Sequence, residues 1–163
     1  MLVPVIPTEK LMGVYFDSMN AGYLSDKRPS IISAQNFTRG FTYKSPCMRF
    51  VVDDRWHFNA GRHTVGETLI YYDGMPVWGM QYRDWYDPRA IPVLKMALAQ
   101  TCHANREFLG GRGPIRFEHG MVHYTNTVHP GSTFDEFSGI EGIINVNSAT
   151  ELGVGRYMGG RLT

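Results

Sequence analysis

Apolar positions along this chain repeat first with a helical period and then with a pleated one, and the cycle runs twice. Leu11, Met12, Tyr15, Phe16 and Met19 recur every three or four residues, which predicts a helix over residues 9–21 with that stripe buried. Thr8 stands as its N-cap, Glu9 places negative charge in its first turn, and Gly22 stops it. Residues 1–7 read as extended, and residues 24–35, polar and broken by Pro29, as a surface connection. A first strand is expected within residues 36–44. Residues 48–52 and 56–60 flank Asp53-Asp54-Arg55 as a hairpin, and residues 64–72 and 76–82 flank Asp73-Gly74 as a second. Asp-Gly suits that second turn because tight hairpins need positive φ.

The second cycle begins with Ile91, Leu94, Leu98 and Cys102, one apolar face of a helix over residues 90–107. Pro92 is tolerated in its first turn, and Gly110-Gly111 is its expected end. Residues 115–117 and 121–125 then flank His119-Gly120, and strands follow over 128–134, 140–146 and 152–158. Gly66-Glu67 and Gly139-Ile140-Glu141 each open an apolar run, a turn and a strand carrying a tyrosine, Tyr82 or Tyr157. The parallel implies an internal duplication, with pseudo-repeats of about 8–86 and 88–163. Half a chain of this length has a marginal core. One domain over residues 1–163 is therefore expected. Its fold class is α+β: the helix-plus-antiparallel-meander unit occurs twice and forms one curved or barrel-like sheet with two covering helices.

Charge narrows the function. Sixteen basic residues against 15 acidic ones leave a net charge of +1, and the Lys and Arg are scattered, so no nucleic-acid partner is expected. No apolar run approaches a membrane span, and the N-terminus lacks the basic start and apolar core of a signal peptide. A cytoplasmic location, with no membrane partner, is the expectation. Cys47 and Cys102 cannot form a disulfide framework. Nine Tyr, 9 Phe, 3 Trp and 18 Gly point instead to pleated surfaces and turns.

Residues 66–82, with Gly66-Glu67, Asp73-Gly74, Trp78 and Tyr82, carry a resemblance to a known family. Arg112-Gly113-Pro114, His119-Gly120-Met121-Val122-His123-Tyr124, Phe137-Ser138-Gly139-Ile140-Glu141-Gly142-Ile143 and Tyr157-Met158-Gly159-Gly160 continue it in order. The chain resembles a bacterial family catalogued only as a domain of unknown function, whose members stand alone or C-terminal to an XRE-type helix-turn-helix. It departs at Asn59-Ala60-Gly61-Arg62, where an aromatic or acidic residue is expected. The resemblance implies a stand-alone sensing or binding domain and lends no reaction.

The candidate residues follow from the duplication. Glu67 and Glu141 are expected at matching positions, either paired with Arg49 and Arg116 inside the sheet or gathered in one pocket as acid and base. His63 and His123 are the candidate partners for proton transfer. His57, His63, His119, His123 and His129 lack metal-ligand spacing, so no metal and no cofactor are expected. The glycine-rich run Gly110-Gly111-Arg112-Gly113-Pro114 follows a helix rather than preceding one, which excludes a phosphate loop. Rings alternate with polar residues along the strands, and the favoured function is a sensor-like small-molecule-binding domain. Its aromatic pocket is lined by Trp78, Tyr82 and Tyr157, with Arg49 and Arg116 as further ligand contacts and Glu67 and Glu141 at its polar end. The first alternative is a cofactor-independent enzyme (cyclase, isomerase or hydrolase) using Glu67, Glu141, His63 and His123. The second is a protein-interaction module in which an edge strand over residues 152–158 recruits a partner or forms a homodimer.

Overall fold

The computed structural model describes residues 5–33, 37–59 and 61–162. The expected extended start at residues 1–4, and the expectations that touch residues 34–36 and 60, lie outside them. Two helical segments and nine strands run in the order α1 (Thr8–Ala21), β1 (Ser30–Ser33), β2 (Thr38–Lys44), β3 (Phe50–Phe58), β4 (His63–Tyr72), β5 (Met75–Tyr86), α2 (Ile91–Ala99), β6 (Arg116–His119), β7 (Val122–Val128), β8 (Glu136–Asn145) and β9 (Thr150–Arg161). The α+β class holds. All nine strands form one antiparallel sheet in the order β1-β2-β3-β4-β5-β9-β8-β7-β6. It is open rather than barrel-closed, with β1 and β6 at its edges.

The helix α1 buries Leu11, Val14, Tyr15, Phe16 and Met19, the face set by its period. Thr8 is not its N-cap. Pro7 holds that position, and the Thr8 hydroxyl instead donates to Asp135 at 2.9 Å and accepts from Arg161 at 2.9 Å. The segment α2 ends at Ala99 and widens into a π-helical turn over Gln100–Asn105, which Arg106 closes with φ 50°. That left-handed residue, and not Gly110-Gly111, stops the helix.

Residues 128–134 form no strand, since β7 ends at Val128 and β8 begins at Glu136, and three further strand expectations need correction. β3 runs unbroken through Asp53-Asp54-Arg55, because the sheet supplies what an aspartate otherwise seeks in a turn. Thr42 donates to Asp53 at 2.7 Å, and Thr68 and Tyr82 donate to Asp54 at 3.0 and 2.8 Å. Ser30–Ser33, expected as a loop, pairs with β2. β9, expected as an edge available to a partner, lies in the middle of the sheet between β5 and β8. By contrast, the Asp73-Gly74 hairpin is as expected, with φ of 48° and 82° at its two residues.

The two meanders meet along β5 and β9 with matched geometry. β4 and β8 each have 10 residues, and β5 and β9 each have 12. Tyr82 lies opposite Gly66 on one side and Tyr157 on the other, while Tyr157 lies opposite Gly139. A methyl at Gly66 would stand 2.6 Å from the Tyr82 ring, and one at Gly139 would strike Tyr157, so each glycine makes room for a cross-strand ring. In this register Glu141 corresponds to Thr68, and Glu67 corresponds to Ile140. The two glutamates therefore do not occupy matching positions.

Candidate functional site

Side chains alternate between the faces of a strand. On the helix-covered face, β3 presents Val52, Asp54 and Trp56, and β5 presents Trp78, Met80, Tyr82, Asp84 and Tyr86. On the same face β8 presents Phe137, Gly139, Glu141 and Ile143. Paired registers align Thr64, Asp84, Gly155, Glu141 and Asn126 in a row across five strands. Two carboxylates thus sit inside an apolar face.

Arg112 answers them. The loop Gly110 to Pro114 is buried, and its glycines allow close approach: a methyl at Gly111 would strike Tyr157, and one at Gly113 would strike Tyr124. The Arg112 side chain, 9% exposed, contacts Asp84 at 3.1 Å and makes a close ion pair with Glu141, which is fully buried. Tyr86 and Tyr124 donate to the two Glu141 oxygens at 2.6 and 2.9 Å. The guanidinium also faces the Tyr82 and Tyr157 rings, 5.2 and 5.9 Å from their centroids. Burial opposes the Arg112 charge, and Asp84 together with Tyr86, Tyr15 and Tyr124 outweighs it, so the guanidinium is held above its ordinary range.

Beside this network, between the sheet and the helices, lies a cavity of about 310 Å³. Asp54, Asp84 and Arg112 form its polar end, and Tyr23, Trp56, Tyr82 and Tyr86 supply its rings, with Arg39 also on its wall. Burial pushes the carboxyls of both Asp54 and Asp84 above the usual range, against the opposing pull of hydroxyl donors at Asp54 and of Arg112 at Asp84. Asp84 Oδ1 and Arg112 Nε are buried with no hydrogen-bond partner among the described residues. Such orphans are rare and call for an occupant, whether water or ligand.

The expected site residues are dispersed by this geometry. Glu141 and Tyr157 join the Arg112 network, and Tyr82 lines the cavity. Trp78 does not line it: fully buried, stacked 4.8 Å from Phe134 and donating to the Phe134 carbonyl at 2.8 Å, it belongs to the core. Glu67, His63 and His123 project from the opposite face, so none can exchange a proton with Glu141. The expected pairs are also replaced. Arg49 binds Asp73 at 3.1 Å, and Arg116 binds Glu118 at 2.6 Å, both exposed. Glu118, two residues along the same strand, takes Arg116, and Asp73, at the β4–β5 turn 24 residues away, takes Arg49.

Two larger depressions of about 750 and 670 Å³ open on the outer face, one holding Glu67 and the other bordered by Val65, Gln81, Arg83, Ile140 and Met158. Among the described residues, no group of three His, Cys, Asp or Glu is placed to hold a metal. No helix among them is long and apolar enough to cross a membrane.

Asp54, Asp84 and Arg112 were missed as site residues, although a signal was present for each. Asp54 interrupts the alternation Phe50, Val52, Trp56, Phe58, and Asp84 interrupts Trp78, Met80, Tyr82, Tyr86. A charge at an inward register must be compensated or used. Arg112 is a lone charge inside a glycine run, which marks a backbone able to pass through an interior.

No curated protein and no solved structure matches the chain. One family profile does, over residues 57–162, from within β3 to the end of β9. By that match the chain belongs to the family described as a domain of unknown function (DUF5680).

Proposed function

We propose that this protein binds a small molecule in the cavity between the inner sheet face and the helices. The observation that carries the reading is the pair of orphaned polar atoms, Asp84 Oδ1 and Arg112 Nε, on residues that line an aromatic-walled space. Its volume of about 310 Å³ suits a compact ligand. Trp56 takes the part that the sequence assigns to Trp78. The matched registers of the two meanders support descent by duplication, with only the first half keeping an open cavity. A sensing role is the one that the resemblance implies.

Native mass spectrometry of the protein purified from its source cells tests the reading. A non-covalent adduct that vanishes on denaturation and in Trp56→Ala, but persists in the outer-face variant Val65→Ser, is expected. An adduct lost in Val65→Ser and kept in Trp56→Ala would move the site to the outer face.

Asp54 favours a second reading, a cofactor-independent enzyme. Its raised carboxyl faces the cavity, as a general acid or base requires. Turnover of the captured molecule, abolished by Asp54→Asn with binding retained, would select it.

A further inference from the structure

The matched halves of the sheet meet the same structural need with different chemistry. Tyr157 donates its hydroxyl to Asn126 Oδ1 at 2.6 Å, and Tyr82 donates at the corresponding place to Asp54 Oδ1 at 2.8 Å. An amide is thus sufficient to hold the tyrosine. The negative charge at Asp54 does nothing for that bond that Asn126 does not do without it.

What lies against the two positions differs in the complementary way. In the second half the loop carrying Gly111 and Gly113 packs against Asn126 and Tyr157, and Asn126 Nδ2 donates to the Gly113 carbonyl at 3.2 Å. The occupant there is protein, and it presents an acceptor to an amide donor. In the first half Asp54 and Tyr82 line the cavity instead. An ionised carboxylate only accepts hydrogen bonds, so an occupant here must present donors.

The charges around the cavity point the same way. Arg112 is held by Asp84 and Glu141, whereas among the described residues Asp54 receives hydrogen bonds only from the neutral hydroxyls of Tyr82 and Thr68, with Arg112 acting on it through its charge. Asp84, 7% exposed, carries a second acceptor, Oδ1, that has no partner among the described residues. Arg39, also on the cavity wall, is exposed and lies 4.7 Å from the centroid of the Phe58 ring. Lys95 sits 5.3 Å from the Tyr23 centroid. The lining thus holds two carboxylates and two guanidiniums, but Arg112 is engaged by Asp84 and Glu141 and Arg39 lies against Phe58, which leaves Asp54 as the carboxylate without an ion pair, beside Tyr23, Trp56, Tyr82 and Tyr86. Aromatic faces and carboxylates together recognise cationic nitrogen.

We propose that the ligand of this cavity carries a protonated amine, which donates to Asp54 and Asp84 and packs its cationic head and apolar body against Trp56 and Tyr23. The amine supplies the hydrogen-bond donors and positive charge that the amide-and-loop arrangement of the second half has no need of. This inference rests on the cavity's being a binding site.

Titration of the full chain with tryptamine, tryptophol and indole-3-acetate separates the two claims, because the probes share one body and differ in head group. Tryptamine is expected to bind at least about tenfold more tightly than tryptophol, with indole-3-acetate weakest. Trp56→Ala should remove binding, while Asp54→Asn should remove the preference for the amine. Tryptamine affinity should also fall as pH is lowered through the titration of Asp54, whose carboxyl lies above its ordinary range. Glu67→Gln, on the outer face, serves as the control that leaves all of this unchanged. A preference for tryptophol or indole-3-acetate, or an amine preference that survives Asp54→Asn in a protein of normal melting temperature, overturns the cationic ligand while keeping the cavity as a site. Failure of all three probes to bind saturably at millimolar concentration overturns both.

Discussion

Asp54 and Asp84 are the residues at which this fold works against itself. Each is a carboxyl raised by burial, so the folded chain holds its proton more readily than the unfolded chain does. Below the unfolded value of about 3.9 the group is neutral in both states and costs nothing. As pH rises from there the unfolded chain ionises first, and above the raised folded value the full cost of a buried charge is present. Asp54→Asn removes that cost and keeps an acceptor for Tyr82 and Thr68. The variant is expected to melt higher than the parent at pH 7, with the two curves converging as pH falls to about 3. Lower melting at both pH values would show that Asp54 serves the fold. Asp87, lowered to about 2 chiefly by hydrogen bonds from Arg89, has the opposite pH dependence, but it is common to both proteins.

Local pattern decides some elements of this chain and tertiary partners decide others. The helix α1 and the Asp73-Gly74 hairpin were legible because each depends on neighbours within a few residues: an apolar stripe in one, positive φ in the other. β3 was not. Its two aspartates resemble a turn until Thr42, Thr68 and Tyr82, drawn from three other strands, are in place to donate to them. The same distance hid Arg112, whose partners Asp84 and Glu141 lie 28 and 29 residues away. Spacing from a glycine brought Glu67 and Glu141 together on paper, whereas register placed them on opposite faces, because a shift of one residue reverses a strand's side chains. Register also makes the glycines opposite the tyrosines sensitive. A methyl at Gly66 would meet Tyr82 ring atoms and the Arg55 carbonyl at 2.6 Å, and Gly66→Ala is expected to cost about 1–3 kcal/mol by denaturant unfolding. A change below about 0.5 kcal/mol, within the range of neutral surface substitutions, would contradict the close packing of ring on backbone.

As a whole, the molecule is a nearly symmetric sheet with an asymmetric interior. Its halves share strand lengths and cross-strand pairing at the centre, yet one inner surface is packed by the loop that carries Arg112 and the other borders the cavity. Symmetric packing alone would have put the same kind of residue at Asp54 and Asn126. On the proposed reading, the difference between them arises because one half is completed by its own chain and the other by a ligand. A crystal structure of the protein purified from its source cells tests this most directly. Non-protein density within hydrogen-bond distance of Asp54 and Asp84 Oδ1, packed against Trp56, is the predicted result. A cavity holding only ordered water, or closed by Trp56 resting on Asp54, would contradict it.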